Sequence, residues 1–222
     1  MKKLIFTFFF FSSIVVVAQE NQKEPVSPSS DFWYVVQNRR SVRYFKPDSI
    51  PEKDILKIID AARLAPTSGN QQPWKFLIIK DKNKINQMKD ACIQMALDRF
   101  DQSGNQNETK AEFEKEVREK LDTRYFSAPV FIVILTDNNS MYPDYNHWDG
   151  PLAAGNLMLS ARALGYGTVF ITDAIPDMVT KEVLQIPDHY TRVCITPLGI
   201  PVEWPSLPDK KDLNEFIVFE KF

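Results

Sequence analysis

The sequence predicts a single α+β domain, and three observations carry that prediction. Segments with helical spacing alternate with short apolar runs after residue 30, with no internal repeat and no break in composition. Residues 130–136 (VFIVILT) are apolar without interruption, as expected of a strand buried on both faces. The 222 residues are 44% hydrophobic, which supports one core without disulfide or metal staples.

Residues 1–18 are expected to lie outside that domain. Lys2 and Lys3 precede an apolar stretch, and Val16-Val17-Ala18 places short side chains before Gln19, the order of a secretory signal peptide cleaved near Ala18. As a helix, residues 4–18 would reach roughly 22 Å, short of a bilayer core of about 30 Å. The expectation is therefore an exported, periplasmic protein with no stable membrane insertion. Residues 19–30 (QENQKEPVSPSS) read as a flexible leader, leaving residues 31–222 as the one folded domain.

Within that domain, Asp31 can cap a short helix carrying Phe32, Val35 and Val36. Ser49-Ile50-Pro51-Glu52 has the form of a capping box with an early proline, opening a helix with Ile55, Ile58 and Ala62 on one face. Residues 75–80 (KFLIIK) read as a strand, and residues 83–100 as an amphipathic helix with Ile85, Met88, Cys92 and Met95 at spacings of three and four. Residues 101–124 are the most charged part of the chain. They read as a solvated helix after a loose loop, or as a cover over a site that Phe113, Tyr125 and Phe126 could help form. Asp149-Gly150-Pro151 opens a helix that is apolar nearly all round, and hence central, closed by Gly165. Residues 169–172 and 192–198 are further strands, and proline-rich turns lead to a last one at 216–219. Cys92 and Cys194 sit in apolar segments and read as single buried thiols, and no Cys/His spacing suggests a metal.

Composition also excludes functions. Lys and Arg total 27 against 29 Asp and Glu, a formal net charge of −2, which argues against a nucleic-acid binder. The seven glycines form neither G-x-G-x-x-G nor G-x-x-x-x-G-K-[ST], and G-x-S-x-G is missing as well. No Ser, His or Cys constellation for nucleophilic catalysis is evident, so no catalytic side chain is assigned. Any phosphate must be held by side chains. Arg39-Arg40-Ser41-Val42-Arg43 offers three guanidinium forks and a hydroxyl for that purpose, although alone it also reads as a solvated basic helix end. Residues 65–74 (APTSGNQQPW) hold small polar side chains between two prolines, which suits the edge of a heteroaromatic ring.

RRSVRYF, then APTSGNQQPWKFLII, then GNLMLSARALGYGTVFITD, in that order, resemble the FMN-dependent nitroreductase family from about Phe32 to the C-terminus. The resemblance implies a mixed central sheet surrounded by helices and an intertwined homodimer with FMN at the subunit interface. It implies that Arg39, Arg40, Ser41, Val42 and Arg43 grip the FMN phosphate and ribityl chain. Pro66, Thr67, Ser68 and Asn70 would reach the flavin from the partner subunit, and Thr172 and Asp173 would offer backbone N–H groups near flavin N5. Lys211 matches a basic residue against the phosphate, with Lys210 its neighbour. The helix from residue 151 to 164 would form the dimer core, and the strand at 217–219 would cross to the partner's sheet. The implied activity is hydride transfer from NAD(P)H or another reduced donor, through FMN, to a small flat acceptor such as a nitroaromatic or quinone. The same fold also hosts reductive dehalogenases, oxidases and FMN binders without turnover, so these remain alternatives. Export would separate the protein from the cytoplasmic NAD(P)H pool.

Overall fold

The computed structural model describes residues 31–104 and 108–222. The expected signal peptide and leader, residues 1–30, lie outside the described residues. In chain order the elements are α1 (Phe32–Asn38), α2 (Glu52–Ala62), β1 (Trp74–Ile79), α3 (Lys82–Ser103), α4 (Lys110–Thr123), β2 (Val130–Asp137), α5 (Asn146–Ala163), β3 (Gly167–Thr168), α6 (Asp177–Leu184) and β4 (Tyr190–Gly199). The strands form one sheet in the order β1-β2-β4-β3, and every neighbouring pair is antiparallel. The expected mixed sheet is thus antiparallel in its ladders, and its parallel contact is the isolated bridge from Ser41 to Thr168.

β2 explains the architecture. Val130, Ile132 and Ile134 point to one face, where they meet Ile55 and Ile58 of α2 and Ala154, Leu157 and Ala161 of α5. Phe131, Val133 and Leu135 point to the other, where Ile85, Met88 and Cys92 of α3 and Val179 of α6 cover them. Each such side chain contributes about 1.5–3 kcal/mol when fully buried, so a strand apolar on both faces needs helices on both. That is the three-layer arrangement found.

Local chemistry sets the helix ends. Asp31 caps α1 by accepting from the Tyr34 N–H at 2.6 Å, and Thr109 with Glu112 closes a capping box on α4. The box expected at Ser49–Glu52 does not form: Pro51 is the N-cap, and the Glu52 carboxylate takes Lys80 Nζ at 2.7 Å instead. α5 begins at Asn146, earlier than expected, because the helix accommodates Pro151 inside it. No residue of α4 is buried; Arg118–Glu114 and Lys120–Glu116 pairs line its surface. Tyr125 is buried in the core, Phe126 packs on Phe131 and Phe113 stacks on Phe100, so packing occupies all three aromatics considered for a cover. The strand expected at 169–172 shortens to β3 and a single bridge between Ile171 and Ile195. The strand expected at 216–219 is not formed. Phe216, Ile217, Val218 and Phe219 are exposed, and no described strand edge takes up their backbone groups. Among the described residues no helix is long and apolar enough to cross a membrane.

Candidate functional site

α1 ends at Asn38, and residues 39–46 continue as an extended segment along the β3 edge. The Val42 N–H donates to the Thr168 carbonyl at 2.9 Å, the Lys46 N–H to Ile200 at 2.8 Å, and the Val202 N–H to Tyr44 at 3.1 Å. Val42 is buried at 1% exposure and anchors the segment, while its alternating neighbours Ser41 and Arg43 stay half-buried. Close approach at this point depends on Gly167, where a Cβ would lie 2.7 Å from Val42 Cβ.

The result is a cleft of about 410 Å³ with two walls. Arg39, Arg40, Ser41 and Arg43 form one; residues 205–208 with Lys210 form the other. Arg40 Nη1 donates to the Gln37 and Arg39 carbonyls at 2.6 and 2.9 Å, and Arg43 Nη1 donates to Ser41 at 3.1 Å. Nε of Arg40 and Nε of Arg43 are buried with no hydrogen-bond partner. Among the described residues no carboxylate pairs with Arg39, Arg40 or Arg43. Burial, then the charges of Arg39 and Arg162, lower the pKa of Arg40, so this cation is held at a cost. Buried unpaired donors beside clustered cations fit a phosphate, whose several oxygens can satisfy both. Lys211 lies outside the cleft, exposed and 3.6 Å from Glu215, whereas Lys210 lines it.

Pro66, Thr67, Ser68 and Asn70 belong to a separate, tightly held loop. Gly69, Asn70 and Gln72 all have positive φ, near 50–56°, which costs energy at the two non-glycine positions. Buried Asp149 compensates by accepting from the Ser68 N–H at 3.1 Å and from Gln71 Nε2 at 2.8 Å. Thr67 Oγ1 accepts from the Gln72 N–H at 3.2 Å, while Pro66 and Asn70 are exposed. None of these residues lines the cationic cleft of the same subunit.

The nitroreductase family profile matches residues 36–200, from α1 through β4. The chain belongs to the nitroreductase family. It is 29% identical over 187 residues to an Archaeoglobus fulgidus protein provisionally named NADH dehydrogenase/NAD(P)H nitroreductase, covering 82% of this chain and 88% of that protein. It is 26% identical over 211 residues to iodotyrosine deiodinase 1 of Homo sapiens, covering 89% and 71%. The crystal structure of an FMN-dependent nitroreductase from Clostridium difficile R20291 superposes with a TM-score of 0.62 at 27% identity, covering 85% and 98%.

This nitroreductase-family chain has a second, larger cleft of about 610 Å³, in which Phe170, Pro151 and Val193 form apolar patches among Asn138, His147 and Arg192. Arg192 fixes the adjoining turn. It donates to the Thr172 carbonyl at 2.6 Å and the Ile175 carbonyl at 2.8 Å, and pairs with Asp177 at 3.1 Å. Thr172 and Asp173 are exposed on that turn, and among the described residues their backbone N–H groups donate to nothing. Sequence reasoning gave Arg192 and Arg162 no role and read Asp149 only as a helix opener. Each is a charge inside an apolar or helix-opening context, and the arginine in LAAGNLMLSARAL was a signal left unread.

Proposed function

We propose that this protein is an FMN-dependent oxidoreductase whose cationic cleft holds the FMN phosphate. The observation that carries the reading is the pair of buried, unpartnered guanidinium nitrogens on Arg40 and Arg43, beside Ser41 and Lys210. The layout of β3 supports it: Ser41 bridges to Thr168, and Thr172 follows four residues later. At no more than about 3.3 Å per residue the reach is at most roughly 13 Å, which suits an elongated ligand with its anionic end at the arginines and its ring at the turn.

When bound, FMN supplies hydride acceptance and donation. The chain's own groups bind and orient it. Arg39, Arg40, Arg43 and Ser41 hold the anionic end, and the unsatisfied amides of Thr172 and Asp173 are dipoles for negative charge on the reduced ring, with Arg192 keeping that turn rigid. A flat acceptor then occupies the second cleft, against Phe170. NAD(P)H is the proposed donor, by similarity to the Archaeoglobus protein; for an exported, periplasmic protein another reduced donor replaces it.

A homodimer completes the site in this reading. Tyr145, Trp148 and Leu152 leave an exposed apolar face on and beside α5, and Phe216, Ile217 and Phe219 are exposed near the C-terminus. The loop carrying Pro66, Thr67, Ser68 and Asn70 would then serve the partner's flavin. A second reading is reductive removal of halide from an aromatic ring, favoured by the similarity to iodotyrosine deiodinase 1 across 89% of this chain.

The test is flavin binding followed by turnover. Purified protein should be yellow, and flavin-free protein should bind FMN at least about tenfold more tightly than riboflavin, one 1.4 kcal/mol contact. Arg40→Gln should remove that preference. Protein that takes up no FMN would sink the proposal. Reduced enzyme is then offered a nitroaromatic and an iodophenol in parallel; iodide release without nitro reduction would select the second reading.

A further inference from the structure

Arg162, in the last turn of α5, is the largest fully buried side chain among the described residues, and no carboxylate among them pairs with it. A buried cation without a counter-charge is costly, so its contacts are informative. Nε donates to the Asn38 carbonyl at 3.1 Å, immediately before Arg39. The guanidinium carbon lies 4.1 Å from the centroid of the Trp204 ring, immediately before Pro205. Nη2 donates to the Tyr34 hydroxyl at 3.2 Å, and the guanidinium also faces the Tyr34 ring at 5.2 Å. Asn38 leads into one wall of the cationic cleft and Trp204 into the other.

We propose that Arg162 is a positioning residue that sets the width of the cationic cleft by tying its two walls together, and so tunes phosphate affinity without lining the cleft. One guanidinium makes both ties because it is planar. Its edge donates to Asn38 while its face stacks on Trp204. Lysine keeps the charge but has neither edge nor plane, so it cannot hold both walls at once. The cation also acts through its field. It adds to the repulsion around Arg40, and an anion in the cleft relieves that repulsion. Nη1 remains buried and unpartnered, consistent with selection for position rather than for stability alone.

This inference rests on the cleft being the phosphate site, and the experiment separates the two. Full-length flavin-free protein is titrated with FMN and with riboflavin, following flavin fluorescence, for the wild type, Arg162→Lys and Trp204→Leu. Arg162→Lys should weaken FMN by about tenfold or more, the equivalent of about 1.4 kcal/mol, while riboflavin affinity stays within about twofold. Trp204→Leu should move FMN affinity in the same direction by a smaller factor. If Arg162→Lys does not accumulate as folded protein, Trp204→Leu decides alone. Equal losses for both flavins would mark Arg162 as merely structural and overturn the proposal, as would no loss at all. A wild type that binds the two flavins alike would instead remove the phosphate reading itself, and this inference with it.

Discussion

Gly167→Ala is the sharpest perturbation of the candidate site, because it adds one methyl group and changes no charge. An alanine Cβ there would lie 2.7 Å from Val42 Cβ and 2.8 Å from both its γ-methyls. Carbon pairs are at their optimum at about 3.5–4.0 Å, so the two must part by roughly 1 Å. Gly167 has an ordinary φ, so the cost is purely steric. Val42 is 1% exposed and its N–H bonds to Thr168 at 2.9 Å, which leaves the segment no room to move without losing that bond. Overpacking of this kind costs about 1–3 kcal/mol, or a Tm fall of roughly 2–12 °C at about 2–4 °C per kcal/mol for a chain of this size. Because Arg40, Ser41 and Arg43 ride on the displaced segment, FMN affinity should fall more than riboflavin affinity. Calorimetry and flavin titration read the two effects separately. A variant with unchanged Tm and unchanged FMN affinity would refute the argument that the β3 edge positions the arginines.

Asp149→Ala should destabilise the fold by about 1–3 kcal/mol, since it strips a buried acceptor from the Ser68 N–H and Gln71 Nε2; an unchanged melting curve would show that the loop holds itself. The phenol of Tyr166 donates to Asp54 at 2.7 Å, and burial first, then that bond and charge, push its pKa up to about 12. A raised folded value means its stability contribution is complete below the unfolded pKa of about 10 and is lost as pH rises from about 10 to 12. Ultraviolet titration should therefore find one late tyrosine that moves earlier in Asp54→Asn. Burial raises Cys92 to about 11 and Cys194 to about 12, so iodoacetamide near neutral pH should leave the folded protein unlabelled and add to both thiols in denaturant. The two lie in core clusters on opposite faces of the sheet, so no intramolecular disulfide should appear under oxidation.

What was legible in the sequence follows from which forces are local. The three-layer fold could be read because β2 writes its environment into its own residues: six consecutive apolar side chains require cover on both sides. Asp31 could be read because an N-cap acts within three residues. The cationic segment could be read because all of its donors lie within five residues, although its phosphate role came from resemblance. The resemblance favoured Lys211 over Lys210, yet Lys210 lines the cleft while Lys211 lies outside it near Glu215, because which of two adjacent lysines faces a site depends on the fold around them. The failed capping box at Ser49 has the same origin. Glu52 had a local partner on offer and a distant one in Lys80, and the distant one won. Arg162 is the extreme case: its partners Tyr34, Asn38 and Trp204 come from opposite ends of the chain. A lone arginine among apolar residues signalled only that some cost was being met. It is at such positions, where a residue violates its local pattern, that the sequence points to the site most directly while saying least about its geometry.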